Sequence, residues 1–347
     1  MGCSSTPSSE EGEPVKEIKT LAIDLAKEVY QVHGVDERGE VVLQKRLRRA
    51  QLPAFLVQSP RCEVVMEACA GAHYWGRQAR TFGHEARLIP PQYVKPFSRR
   101  QKNDRNDAEA IACAARQPRM PVVPIKSEEH QTVMALHRIR SRLMKERIGL
   151  TNQLHGLAGE FGLVLPRGLE KLRHELTAAM DQGRLPALLR EVFADQLEHL
   201  TQIAAQLQKI TLRLEELARV SEPCQRLMRH RGVGPLIATA FAAEVCDPSA
   251  FKNGRQAAAW LGLVPRQHSS GDRTQLLGIT KRGNCYLRKL LVHGARAALR
   301  FAPRHPDQFG RWMLAVKERR GSNRAAVAIA NKTARHLWAT LRYPQID

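Results

Sequence analysis

Two short apolar runs stop abruptly at an acid: Leu21-Ala22-Ile23 at Asp24, and Val64-Val65-Met66 at Glu67. Runs of this length read as strands buried in a sheet, and each acid falls where such a strand would leave it. Neither position suits a solvated surface charge. An ionised carboxylate costs several kcal/mol or more to bury unless it is paired or bound to a metal, and crowding a second acid beside it makes matters worse. A divalent cation resolves the conflict. The alternative is that Asp24 and Glu67 are salt-bridged to the many arginines.

The surrounding pattern predicts the sheet that holds these acids. Ile18 to Asp24, Val29 to Val35 and Glu40 to Leu47 read as three antiparallel strands, the last two joined through Asp36-Glu37-Arg38-Gly39. A short helix near Ala50 to Gln58, a strand Cys62 to Glu67, a helix around Tyr74 to Gly83 and a strand Glu85 to Ile89 follow. That order predicts a mixed sheet flanked by helices, with Asp24 and Glu67 side by side on its first and fourth strands. Two further acids, in Asp104-Arg105-Asn106-Asp107, precede a helix Ala108 to Arg116 and are expected to project from one helix end. Asp107 as a plain helix cap is the bland reading.

Charge says what such acids would act on. The 347 residues hold 55 Lys+Arg against 34 Asp+Glu, a formal net charge of +21, which attracts polyanions and makes nucleic acid the expected partner. Two globular domains plus a connector are expected at this length. No apolar run approaches the ~18 residues of a spanning helix, and no secretory signal is visible, so a soluble intracellular protein is expected. The seven cysteines are scattered without C-x-x-C spacing and read as reduced thiols. Met1-Gly2-Cys3-Ser4-Ser5-Thr6 fits a myristoylation pattern, yet residues 1–16 read equally well as a disordered Ser/Glu/Pro-rich tail.

Residues 127–220 are almost entirely helix-forming. Leu200, Ile203, Leu207, Ile210, Leu214 and Leu217 alternate three and four apart, the seam of a coiled coil or of a helical hairpin within the chain. Arg138, Arg140, Arg142, Lys145 and Arg147 lie along the first helix, either contacting nucleic acid or simply solvated. From residue 221 a second globular segment begins. There His230-Arg231-Gly232-Val233-Gly234-Pro235 precedes the apolar helix Leu236 to Val245 and reads as a helix-hairpin-helix. Its glycines, Gly232 and Gly234, would expose backbone N–H groups to a phosphate, or would serve a merely structural turn.

Six short segments carry a resemblance. Ala22-Ile23-Asp24-Leu25-Ala26-Lys27, Met66-Glu67-Ala68-Cys69-Ala70-Gly71 and Lys102-Asn103-Asp104-Arg105-Asn106-Asp107 resemble the DEDD motifs of the insertion-sequence transposases of family one-ten. Trp260-Leu261-Gly262-Leu263-Val264-Pro265, Ser270-Gly271 and Ile279-Thr280-Lys281-Arg282-Gly283-Asn284 are similar to that family's C-terminal transposase domain. The resemblance covers nearly everything after Glu17. Asn103 stands where many relatives carry Thr, which looks more like the family's second subgroup.

The resemblance implies a RuvC-like, ribonuclease-H-fold α/β domain over 17–126, a helical coiled-coil connector over 127–220, and a mainly α C-terminal domain over 221–347. It implies Asp24, Glu67, Asp104 and Asp107 as ligands of one or two Mg2+ ions and Ser270 as a nucleophile forming a covalent phosphoserine with DNA. On the residues alone, Ser269-Ser270-Gly271 reads as a flexible turn. It further implies homo-oligomers, dimeric or tetrameric, working with a bridge RNA in a prokaryotic cytoplasm near the nucleoid. Arg266, Arg273, Lys281, Arg282, Arg288 and Lys289 surround Ser270 in sequence and are expected to neutralise DNA phosphates. Aromatic residues are 5% of the chain, so stacking on a ring platform is not expected to dominate. A water-using junction endonuclease and a non-catalytic nucleic-acid scaffold are the competing readings.

Overall fold

The computed structural model describes residues 17–98, 104–270 and 273–345, with only the backbone for 104–105 and 273–274. The 1–16 tail with its lipidation-like start, Asn103, Gly271 and the side chains of Asp104 and Arg273 therefore lie outside the described residues. The chain divides into two compact units, the first ending at Ser127 and the second beginning at Glu128.

In the first unit, β1 (Thr20–Leu25), β2 (Val29–Val35) and β3 (Val41–Arg48) form an antiparallel meander. The turn into β3 closes because the Asp36 carboxylate accepts the N–H groups of Gly39 and Glu40, both at 2.8 Å. Then come α1 (Leu52–Gln58), β4 (Glu63–Glu67), α2 (Ala72–Thr81), β5 (Glu85–Ile89), α3 (Pro91–Val94) and α4 (Asp104–Ala115). The sheet order is β3-β2-β1-β4-β5, with β4 parallel to both β1 and β5. This is the expected mixed sheet.

Strand alternation sorts side chains onto two faces. Leu21, Ile23, Tyr30, Val32, Val64 and Met66 pack with Leu52 and Leu56 of α1 and Ala72, Trp75 and Ala79 of α2. There the Trp75 indole N–H donates to the Tyr30 hydroxyl at 3.0 Å. Ala22, Val35, Val65 and Ile89 face the other way, against Ala110, Ile111 and Ala114 of α4. Along α4, small alanines let the helix lie close to the strands.

The second unit opens with α5 (Glu128–Gly159), α6 (Leu169–Asp181) and α7 (Ala187–Val220). α5 and α7 run antiparallel, since Arg140 bonds Thr211 while Glu146 bonds His199 further back along α7. The heptad-spaced Leu200, Ile203 and Leu207 are buried in a core with Leu143, Leu150, Leu154, Leu172 and Leu176. This part of the seam is thus filled by helices of the same chain. Next come α8 (Glu222–Met228), α9 (Pro235–Glu244), α10 (Gly254–Trp260), the hairpin β6 (Pro265–Ser270) and β7 (Arg273–Ile279), α11 (Cys285–Phe301), α12 (Gln308–Arg320) and α13 (Ser322–Arg342). The helices among them share a core built on Phe241, Leu291, Met313, Ile329 and Leu337. The expected connector does not stand apart: α5 and α7 pack along α9, and one unit runs from Glu128 onward.

Candidate active site

The face on which each acid falls follows from strand parity. Asp24 is two residues beyond Ala22 and Glu67 two beyond Val65, so both share the face that packs on α4. Parallel pairing sets Ile23 beside Met66, which makes Asp24 and Glu67 neighbours at the same end of adjacent strands. Asp107 lies in the first turns of α4, the helix lying across β1, β2 and β4. The helix starts earlier than expected, at Asp104, so both Asp104 and Asp107 lie within its opening turn.

Electrostatics records the convergence. Burial pushes the Glu67 carboxyl above the usual carboxylate range, and the nearby Asp107 charge pushes it further. Cys69, two residues on, has its thiol raised first by burial and then by the Glu67 and Asp24 charges. Three of the four expected acids therefore influence one small region. Hard, oxygen-only, like-charged donors at a strand end fit a divalent cation such as magnesium. Among the described residues no three His, Cys, Asp or Glu side chains are already drawn together as ligands.

The acids belong to a longer row. Asp24 pairs with Gln31 on β2, and Gln31 pairs with Arg46 on β3, so the α4 face carries Arg46, Gln31, Asp24 and Glu67 from sheet edge to centre. Sequence reasoning overlooked Gln31 and Arg46. The signal was there in the alternation of β2 and β3 about the Asp36–Gly39 turn.

Ser270 is the last residue of β6, paired with Arg273, and it is exposed. What read as a flexible turn is the end of a two-stranded hairpin. The Gln267 amide N–H donates to the neighbouring Ser269 hydroxyl at 2.9 Å. The base of the hairpin is held by main-chain bonds from Thr280 to Val264 and from Lys281 to Gly262. Gly283, at φ +77, sits so close that a side-chain carbon there would meet the Trp260 carbonyl.

The expected basic residues divide into two kinds. Arg266, Lys281, Arg282 and Lys289 are exposed, but Arg288 donates to the carbonyls of Leu261 and Arg282 and holds the loop. On α5, Arg138, Arg142 and Lys145 are exposed along one face, Arg142 beside Glu146, and Arg147 is half-buried. Arg140, expected to contact nucleic acid, is already engaged within the chain. Its Nε donates to the Thr211 hydroxyl at 3.0 Å, and its charge lies near the Tyr286 hydroxyl on α11. Gly232, at φ +77, is pressed against Gly294 of α11. Gly234 caps α9 and is exposed.

Tyr286 leads into a buried chain of hydrogen bonds. The Thr239 hydroxyl donates to the Pro235 carbonyl, so it accepts from His137 Nε2–H at 3.0 Å, which leaves His137 Nδ1 to accept from the Tyr286 hydroxyl at 2.8 Å. Burial, with the Arg140 charge adding to it, holds His137 down at about 4 and keeps it neutral. Together with the bond from Asn284 to Glu244, this chain ties the start of α11, just after the hairpin, to α5 and α9.

Comparison with known proteins identifies the family. A family described as "Transposase", of the DEDD type, matches residues 21–161, and the "Transposase IS116/IS110/IS902 family" matches residues 224–309. The chain is 45% identical to a "Probable family 20 transposase" of Pseudomonas aeruginosa, over 93% of this chain and 97% of that protein. It belongs to the IS110/IS116 family of transposases. It is similar, at 44% identity over 94% of its length and 90% of the relative's, to the "Transposase for insertion sequence element IS1111A" of Coxiella burnetii. The "Transposase for insertion sequence element IS1328" of Yersinia enterocolitica is 37% identical, over 92% of this chain and 96% of that one. This IS110-family transposase is thus an enzyme of DNA cleavage and strand transfer. Among its described residues no helix is long and apolar enough to cross a membrane.

Proposed function

We propose that this transposase cuts and exchanges DNA strands in a magnesium-dependent reaction in which Ser270 becomes covalently linked to DNA. The observation that carries the reading is the convergence of Asp24, Glu67 and Asp107 on one end of the sheet, with the Glu67 carboxyl raised by burial and by Asp107. In a RuvC-like reading of the first unit, Asp24, Glu67, Asp104 and Asp107 would hold one or two magnesium ions. Bound there, the metal would polarise phosphoryl oxygens and stabilise charge on the attacking and leaving oxygens.

Ser270 Oγ forms a bond to a DNA phosphorus as the bond from that phosphorus to a deoxyribose oxygen breaks. The serine proton goes to solvent, and the departing oxygen takes one up. The phosphoserine keeps the phosphodiester's bond energy, so a second strand's hydroxyl can reverse the step and join a new partner. Exposure at a hairpin tip favours this role, because a nucleophile for a polymer must be reachable. Arg266, Arg273, Lys281, Arg282 and Lys289 neutralise phosphates near it, Arg138, Arg142 and Lys145 offer a second basic face, and the turn before α9 grips a phosphate at Gly234.

A bridge RNA made from the element itself supplies sequence choice by base pairing with donor and target DNA. Homo-oligomers bring several serines to one junction, beside the nucleoid of a prokaryotic cytoplasm. The test incubates the purified protein, RNA from the element's flank, magnesium and DNA bearing the element junction, then maps any protein-linked DNA. An adduct on Ser270 that disappears in Ser270→Ala is the expected result. Strand cleavage that survives Ser270→Ala without an adduct would make water the nucleophile and remove the serine from the mechanism.

A further inference from the structure

A cavity of about 230 Å³ is lined by Gln31 to His33 of β2, Gln44 to Arg46 of β3 and Ala108 of α4. Ala108 follows Asp107 directly on α4, so the cavity begins where the acids end. Gln31 and Arg46 stand in the same cross-sheet row as Asp24, and Gln44 and His33 form the next row on that face. The lining is cationic and amide-bearing, with Arg46 and Gln44 exposed at its mouth. β3 is the outer strand of the sheet, so this trough opens at the sheet edge, over β3 and β2, one strand away from β1 and its Asp24.

We propose that this trough binds the backbone of the nucleic-acid strand being cut, with Arg46 taking a phosphate, Gln31 and Gln44 hydrogen-bonding the sugar-phosphate, and the strand entering over β3 to reach the acids. Carboxylates repel a polyanion, so a strand crossing them needs a cation at a neighbouring phosphate. Strands lie about 4.8 Å apart, which puts the Arg46 backbone about 10 Å from that of Asp24. Arginine suits the role, since its planar fork meets two phosphate oxygens at once. Glutamine amide N–H groups donate, which suits the phosphate and ester oxygens of a DNA strand.

The proposal rests on the acids being the place of strand cleavage, and the experiment separates the two. Single-stranded and junction DNA affinity of the full chain is measured against salt, and cleavage against DNA concentration, for wild type, Arg46→Ala, Arg46→Lys, Gln44→Trp and Glu67→Gln. Arg46→Ala should flatten the slope of log affinity against log salt by about 0.7–0.9, the loss of one phosphate contact. Its cleavage should need more DNA to saturate while the saturated rate stays close to wild type, and Arg46→Lys should recover part of the slope. Gln44→Trp, at an exposed strand position where a large side chain does not disturb the core, should block the trough and slow cleavage with the net charge unchanged. Unaltered slope and saturation in Arg46→Ala would overturn the proposal, as would full activity in Gln44→Trp. Glu67→Gln should bind with the wild-type slope and fail to cut. If instead it cuts normally, the acids are not the cleavage site, and any slope lost in Arg46→Ala then reports a phosphate contact unrelated to chemistry, which also overturns the proposal.

Discussion

Replacing His137 by Asn should remove a defined part of this transposase's acid sensitivity. The imidazole is fully buried and neutral, with Nδ1 accepting from Tyr286 and Nε2–H donating to Thr239. In the unfolded chain it takes up a proton near its ordinary value of 6.5, whereas in the fold it does so only near 4. The folded state therefore binds fewer protons across that window. The stabilising contribution is complete above about pH 6.5 and lost as pH falls toward 4. At about 1.4 kcal/mol per pH unit the loss is about 3 kcal/mol, large against a typical total of about 5–15 kcal/mol. The assay is denaturant unfolding of the full chain at pH 7, 6, 5 and 4, following the helical second unit, for wild type and His137→Asn. At pH 7 the variant should be weaker by about 1–3 kcal/mol, because one buried partner is left unsatisfied. Toward pH 4 the two should converge, since Asn cannot be charged. A gap that stays constant with pH, or a native His137 titrating near 6.5 by NMR, would refute the hydrogen-bond assignment.

Two other outcomes are expected. Gly294→Ala sets helix propensity, which favours alanine by about 1 kcal/mol in a helix interior, against a side-chain carbon 2.2 Å from the Gly232 carbonyl and 2.6 Å from Ile237. The carbonyl belongs to a tight turn and cannot rotate away, so overpacking of about 1–3 kcal/mol should win and lower Tm by a few degrees in a melting scan. Glu67→Gln should raise the Tm of the metal-free protein at pH 7. The folded-state value of Glu67 is raised, so its stabilising contribution is present at low pH and lost as pH climbs through that value. The same variant should lose any magnesium-dependent rise in Tm. A lower metal-free Tm at pH 7 with an unchanged magnesium response would contradict the crowding of Glu67 by Asp107.

The N-terminal sheet was legible because alternation and acid placement are local signals. Val29–Val35 and Glu85–Ile89 form the strands expected of them, and the run ending at Glu67 starts one residue late. The family, too, was legible in motifs short enough to recognise in one dimension. The role of a particular basic residue was not. Arg138 and Arg140 are two apart on the same helix, yet one is exposed and the other is turned toward Thr211 and Tyr286. Their fates depend on which helix lies alongside, and that partner is some seventy residues away in sequence.

What the amino-acid order determined by itself is where strands end, which face each acid takes once its strand pairs, and the basic character that selects a polyanionic partner. Each depends on periodicity or on summed charge, which need no distant neighbour. Tertiary structure alone decided that Asp107 comes close enough to Glu67 to raise its carboxyl, that much of the heptad seam is covered by the same chain, and that Gly232 is a packing contact against Gly294. Burial and Coulomb interaction act through space over a few ångströms. Residues forty or sixty positions apart meet only when sheet register and helix packing place them there.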